Sequence, residues 1–537
     1  MIDNYGVKGT GNLAGGSEGG RSRPLLLPLF NIDGDDLKPD ALWLNAKHVI
    51  NPEARFKINL TPSAKERINK ANEYVYSLLE TKKCVYGINT GFGYLCEVNI
   101  PPDKITELQR NIILSHSCGV GDEYPRDIVM AGWLILLNSI ARGHRGVSLQ
   151  TVETATRLLE SGILSCVPSR GSVGASGDLV PSAHAALPLL GEGMCTIPNG
   201  DTFLRVSAKE ALDMAGIKPI ELGHKEGLSL INGTQYTTAM AIKLWHDSKT
   251  LLKIANLAAI FNVEVMGCSH KIISRHVLTE HSHPGTIECG KEMADWLGGP
   301  TEISENYGSC HRVQDPYCLR CAPQVHGAVY EEIQRSEQIL YHEINSTTDN
   351  PLLFPEEHLT LNGGNFHAIY VARLCDCLAS ALTTLGSISE RRINMAMCED
   401  RSGLPTFLIK DGGLYSGFMM VQTTAAALAS ECKSLSFPAS VDSIPTNCDK
   451  EDHVSMGPIA GHKALKIVNN VRYILAIELM VATQSLDLLS PLKTSERLMN
   501  VHSYIRQYIP FVETDCILSG YIEKIAQIIK EGGLLLL

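Results

Sequence analysis

The chain has no cluster of lysine and arginine. Its 47 basic and 58 acidic residues leave a formal net charge of −11. A nucleic-acid footprint concentrates positive charge on one face, so no nucleic-acid partner is expected. No basic segment followed by an apolar core opens the sequence, so no secretory signal is read. The long uncharged stretches, such as 414–430, are interrupted by Ser, Gln and Thr, which predicts buried helices and no membrane span. The 16 cysteines are scattered, without the dense framework of a small secreted domain. A reducing, cytoplasmic setting follows, in which the sequons at Asn59, Asn232 and Asn345 stay unglycosylated. No run of alternating strands is present, and no internal period of about 20–50 residues points to a repeat fold.

What is present is helical periodicity. Val329, Ile333, Ser336, Leu340 and Ile344 form one apolar stripe. Leu414, Phe418, Val421, Ala425, Leu428, Cys432 and Leu435 form a second. Ala464, Val468, Val471, Leu475, Leu479, Ala482, Leu486 and Leu489 nearly form a third. Spacings of three and four mark amphipathic helices, and long helices with narrow stripes pack side by side. The sequence therefore predicts a mainly α protein with a long central helical bundle, a smaller mixed N-terminal part and no large sheet. Its expected organisation is a flexible Gly-rich tail over 1–36, an N-terminal part over 37–260 and the bundle over 261–537. Thr61-Pro62 reads as an N-cap and first helical residue, opening a helix through about Leu79.

The most informative local feature is the run Gly171-Ser-Val-Gly174-Ala175-Ser176-Gly177-Asp178. Small-residue runs ordinarily mark turns. This one contains Ala-Ser-Gly, in which the Gly177 nitrogen could attack the Ala175 carbonyl if the backbone bends tightly, as glycine permits. Loss of one water from that ring and one from the Ser176 side chain would leave an exocyclic methylene, a strong electrophile. A nucleophilic serine elbow, Gly-x-Ser-x-Gly, is the rival reading. It fails because Asp178 stands at the second glycine position. Asp178-Leu-Val-Pro181 reads as a helix start, whose positive dipole end would face the triplet.

Other polar groups stand in apolar surroundings. Tyr86 opens the Gly-punctuated loop Tyr86-Gly-Ile-Asn-Thr-Gly-Phe-Gly93, which suits an acid–base group on a closing segment. Tyr317 and Arg320 are spaced to share a helix face, and arginine binds carboxylates bidentately. Glu451-Asp452-His453 gathers titratable groups that burial could tune toward general-base use. Cys310-His311 with Cys318-x-x-Cys321 only superficially resembles a zinc site, which needs paired ligand knuckles. No metal is expected.

Together these segments resemble one family, the ammonia-lyases and aminomutases that build a methylidene-imidazolone prosthetic group from Ala-Ser-Gly. The likeness covers roughly residues 40–510. It rests on Tyr86-Gly-Ile-Asn-Thr-Gly-Phe-Gly, Leu114-Ser115-His116, Gly174-Ala-Ser-Gly-Asp178, Glu226-Gly-Leu-Ser-Leu-Ile-Asn232-Gly-Thr, Val313-Gln-Asp-Pro-Tyr317-Cys-Leu-Arg320-Cys, Asp349-Asn-Pro, Gly364-Asn-Phe366-His and Glu451-Asp-His-Val-Ser-Met456.

The resemblance implies that Ala175, Ser176 and Gly177 form the prosthetic group autocatalytically, with no external cofactor. It implies that Asn232 supports the group's polarisation and that Phe366 helps form its environment. Tyr86 would be the loop base or proton shuttle, with Glu451 the other candidate base. Tyr317 would assist at the prosthetic group, Arg320 would hold the substrate carboxylate, and Gln314 would line the site. Ser115-His116 would select the substrate ring in the manner of histidine-specific members, with Met419 in the imidazole pocket. The implied reaction is elimination of ammonia from L-histidine to trans-urocanate, the first step of histidine degradation. The alternative is a tyrosine or phenylalanine lyase or aminomutase. A homotetramer with shared active sites is also implied. Two positions depart from the family pattern: Lys450, where glutamine is usual, and Val180-Pro-Ser182, where Ala-Pro-Leu is common.

Overall fold

The computed structural model describes residues 29–54, 56–80, 84–306 and 313–537. Nine helices set the frame: α1 (Pro62–Glu80), α2 (Ile105–His116), α3 (Arg126–Ala141), α4 (Leu179–Ala186), α5 (Gln235–Val265), α6 (Ala322–Ile344), α7 (Ile369–Ala396), α8 (Met419–Leu435) and α9 (Gly457–Leu488). Among the described residues the sheets have only two or three strands each. The mainly α expectation therefore holds.

The bundle is built from α5 to α9. Helix α7 packs on α5, α6, α8 and α9, while α3 lies against α5 on the N-terminal side. Helices α5 and α9 have 31 and 32 residues, each roughly 45–48 Å long at the usual rise. The stripe Val329, Ile333, Ser336, Leu340 and Ile344 is buried along α6. Among the described residues one helix, α7, is long and apolar enough to cross a membrane, yet 56% of its most apolar window is buried inside the protein.

Three expectations shift. The tail was expected to reach residue 36. Residues 1–28 lie outside the described residues, but Leu29–Ile32 form strand β1, paired in parallel with β2 (Lys57–Leu60). Phe30 and Ile32 alternate inward and are buried, which anchors the segment. The stripe expected to begin at Leu414 becomes helical only at Met419, and Leu414 is 75% exposed. A turn at Asp411 and Gly413, with φ of 56° and 100°, prevents an earlier start. The boundary at 260/261 falls inside α5, so that helix runs unbroken from the N-terminal part into the bundle.

Helix α1 starts as its sequence suggests, with Thr61 Oγ1 accepting from the Ala64 N–H at 3.2 Å. Helix α5 is capped differently, because Thr234 provides no side-chain cap. The Asp178 carboxylate takes the N–H groups of Tyr236 and Thr237 at 2.8 and 2.7 Å, and the Thr237 hydroxyl at 2.7 Å. Burial pushes the Asp178 carboxyl up to about 6 against the effect of those bonds. One buried side chain thus ties the Ala-Ser-Gly loop to the end of the longest-buried bundle helix.

A second buried cluster supports Asn232. Lys225 Nζ lies 2.6 Å from Asp349 Oδ2, with both side chains fully buried. Arg145 donates to the carbonyls of Ser229 and Asn232 at 2.8 and 3.0 Å. Burial pulls Lys225 below its usual range, opposed by the Asp349 charge. Breaking one partner of such a pair leaves an uncompensated buried charge, which costs about 3–5 kcal/mol. Asp349→Asn should therefore lower the urea midpoint of unfolding markedly. A midpoint equal to that of the parent protein would show that the pair is dispensable.

Candidate active site

The Ala-Ser-Gly loop is tightly bent. Gly174, Ser176 and Gly177 all have positive φ, at 80°, 51° and 84°. The Gly177 N–H points back to the Gly174 carbonyl at 3.2 Å. The turn is clamped from two sides. Asp178 N–H donates to the Gly233 carbonyl at 2.6 Å, and Met456 N–H donates to the Val173 carbonyl at 2.9 Å. A Cβ on Gly177 would sit 2.1 Å from the Gly233 oxygen, and one on Gly174 would sit 2.1 Å from Ser455 Oγ. Only glycine fits either place.

Ser176 faces a cavity of about 1280 Å³. Tyr86, Ser115, His116, Asn232, Phe366 and Glu451 line the same cavity, so the chain folds these sequence-distant candidates around one serine. Glu451 Oε1 accepts the Ser176 hydroxyl at 2.8 Å, and its other oxygen accepts the Thr446 hydroxyl at 2.8 Å. The Ser176 hydroxyl is therefore held by a carboxylate. Asn232 donates to the Asn350 carbonyl at 3.1 Å. Its buried Oδ1 has no hydrogen-bond partner among the described residues. A buried orphan acceptor beside a glycine-cradled turn fits a polar group formed from that turn.

Tyr86 Oη accepts the Gly93 N–H at 3.3 Å. Burial pushes the phenol up, Gly93 pulls it down, and the Glu451 charge raises it further. The phenol is therefore the protonated form at neutral pH. His116 ends α2, and Ser115 Oγ lies 3.1 Å from its Nδ1. Burial lowers the imidazole below its usual range, so the ring is neutral at pH 7. With Nδ1 engaged, its Nε2 remains for a ligand.

The other four candidates lie elsewhere. Arg320 stacks over the Tyr317 ring at 4.6 Å, and its guanidinium donates to the Asp315 carbonyl at 2.9 Å and to Gln314 Oε1 at 3.2 Å. Tyr317 is 71% exposed. Met419 opens α8 and is partly exposed. None of Gln314, Tyr317, Arg320 and Met419 lines the Ser176 cavity within this chain.

Cys310 and His311 lie outside the described residues. Among the described residues no group of three or more potential ligands could hold a metal. The cavity adds Asn447, which the sequence did not single out, and brings together His367 and His453 of the recognised strings as stacked imidazoles 5.4 Å apart. Lys450 also lines it. The Pro445-Thr-Asn string signals a turn, but nothing local says that the turn faces Ser176.

The family model for aromatic amino acid lyases matches residues 44–507. A histidine ammonia-lyase from Anaeromyxobacter dehalogenans (strain 2CP-C) is 44% identical over 479 residues, covering 88% of this chain and 94% of its own length. The crystal structure of a histidine ammonia-lyase from Trypanosoma cruzi superposes with a TM-score of 0.85 at 36% identity, covering 95% of this chain and 94% of that one. An ergothionase structure from Treponema denticola gives a TM-score of 0.88 at 27% identity, covering 95% of this chain and all of that one. The likeness spans both the clamped Ala-Ser-Gly turn and the bundle that holds it, and the chain belongs to the aromatic amino acid lyase family.

Proposed function

We propose that the protein is a carbon–nitrogen lyase that eliminates ammonia from L-histidine to give trans-urocanate. The observation that carries this reading is the meeting of Ser115-His116 and Glu451 with Ser176 in one cavity. It is supported by 44% identity to a histidine ammonia-lyase over nearly the whole chain.

The residues around Ser176 fit a methylidene-imidazolone made from Ala175, Ser176 and Gly177. The turn is pre-bent, the flanking glycines admit no side chain, and Asn232 has an acceptor to spare. Such a group supplies an electrophile that no unmodified side chain offers. The remaining work falls to ordinary side chains. Neutral His116 exchanges a hydrogen bond with the substrate imidazole through Nε2. Glu451 supplies a carboxylate for the ring or for the β-proton. Tyr86, protonated at rest, moves a proton over the cavity. Preorganised groups of this kind act most strongly where water is excluded.

Arg320 would bind the substrate carboxylate bidentately, with Gln314, Tyr317 and Met419 beside it. These lie away from the Ser176 cavity of their own chain. The reading therefore has them enter the site of a second copy, in a homotetramer with shared active sites. Closed symmetric assemblies bring distant patches together in this way. No disulfide joins any two of the described cysteines, which supports a reducing, cytoplasmic location.

Incubation with L-histidine tests the reading through the ultraviolet absorption of urocanate. Turnover of tyrosine or phenylalanine, with none of histidine, would favour the alternative substrate class. His116→Leu should reduce kcat/KM on histidine about 10²-fold, the scale of one lost hydrogen bond in a buried polar site. An unchanged kcat/KM would remove His116 from ring recognition.

A further inference from the structure

Three consecutive non-glycine residues, Asn447, Cys448 and Asp449, adopt left-handed backbone with φ of 53°, 51° and 62°. Such a run is rare and persists only where surrounding contacts enforce it. It closes with Lys450 N–H on the Asn447 carbonyl at 3.2 Å. Thr446 and Glu451 bracket the turn through reciprocal backbone bonds of 3.1 and 3.4 Å. The turn therefore delivers Glu451 to Ser176.

Asn447 also reaches the other loop of the cavity. Its Oδ1 accepts the Tyr94 N–H at 3.2 Å. Its carboxamide lies so close to Gly93 that a Cβ there would fall 1.8 Å from Nδ2. The Gly93 N–H, one residue earlier, donates to Tyr86 Oη. Two adjacent amides of the Tyr86 loop are thus engaged, one by the phenol and one by Asn447.

We propose that Asn447 is a positioning residue that latches the loop carrying Tyr86 to the turn carrying Glu451, fixing the two proton-moving groups relative to each other. This rests on the proposed lyase reading for its catalytic consequence, but the latch itself does not. Asparagine suits the post because it tolerates left-handed backbone and offers a side-chain acceptor.

Two variants separate the latch from the backbone. Asn447→Gly keeps the left-handed conformation and removes the acceptor. Asn447→Asp keeps both. In the assembled protein, hydrogen exchange over residues 84–98 should quicken on the order of five- to tenfold in the glycine variant, the scale of one hydrogen bond. Its kcat should fall by a similar factor at unchanged KM, with the loss of two waters from the 175–177 peptide intact. The aspartate variant should restore both exchange and kcat. Unchanged exchange in Asn447→Gly would overturn the latch, and so would failure of that variant to lose the two waters where the parent loses them. If the parent protein does not turn over histidine, the lyase reading falls, while the exchange measurement still decides the latch.

Discussion

Ser176→Ala is expected to bring turnover down to background, by on the order of 10³- to 10⁶-fold, the scale seen when a covalent-catalysis group is removed. The physical reason is specific. Ser176 is the only source of the exocyclic methylene, since Ala175 and Gly177 contribute backbone alone. The fold should tolerate the change. Ser176 has φ of 51° and already carries the left-handed strain of a Cβ, about 1–2 kcal/mol, so alanine adds little. The loop also keeps its clamps at Gly233 and Met456. The variant should therefore show the parent's helical circular dichroism and an unshifted 175–177 peptide mass. Appreciable residual turnover would refute the assignment of the electrophile.

The second large effect concerns Tyr86. Tyr86→Phe should lower kcat by about 10²- to 10⁴-fold, the usual contribution of a positioned proton-transfer group, with little change in KM. Phenylalanine keeps the packing of the ring and removes only the oxygen that accepts the Gly93 N–H. Steady-state kinetics on histidine separates the outcomes. A raised KM at constant kcat would mean that Tyr86 binds substrate and moves no proton, leaving Glu451 as the sole proton-moving group. Because burial pushes the Tyr86 phenol up, the parent enzyme should hold kcat as pH rises through neutrality, with no loss there from ionisation of this group.

Much of the architecture was legible because it depends on periodicity. The stripes at Val329–Ile344 and Ala464–Leu486 lie on α6 and α9 as their spacing requires. The Ala-Ser-Gly triplet was legible because glycine at Gly174 and Gly177 is a local signal for backbone that other residues avoid. What could not be read is non-local. Asp178 looks like the first-turn acid of its own helix, yet its carboxylate caps α5, starting 57 residues further along. A cap delivered from elsewhere leaves no pattern near the helix it serves. The Lys225–Asp349 pair joins residues 124 positions apart, and each alone reads as a surface charge. The Pro445-Thr-Asn string marks a turn, but the left-handed run at Asn447–Asp449 carries no glycine, so its conformation is not announced as those of Gly174 and Gly177 are. Tyr317 and Arg320 were recognised as a pair, and they do stack. Their distance from Ser176 within one chain follows from the rigid bundle, which a spacing argument does not encode.

The central claim is that residues 175–177 become an electrophile inside this clamp. Peptide mass spectrometry of the freshly folded parent protein tests it without reference to any substrate. The account predicts that the peptide containing Ala175-Ser176-Gly177 is lighter than its sequence by two water molecules. A peptide at its full sequence mass would contradict it.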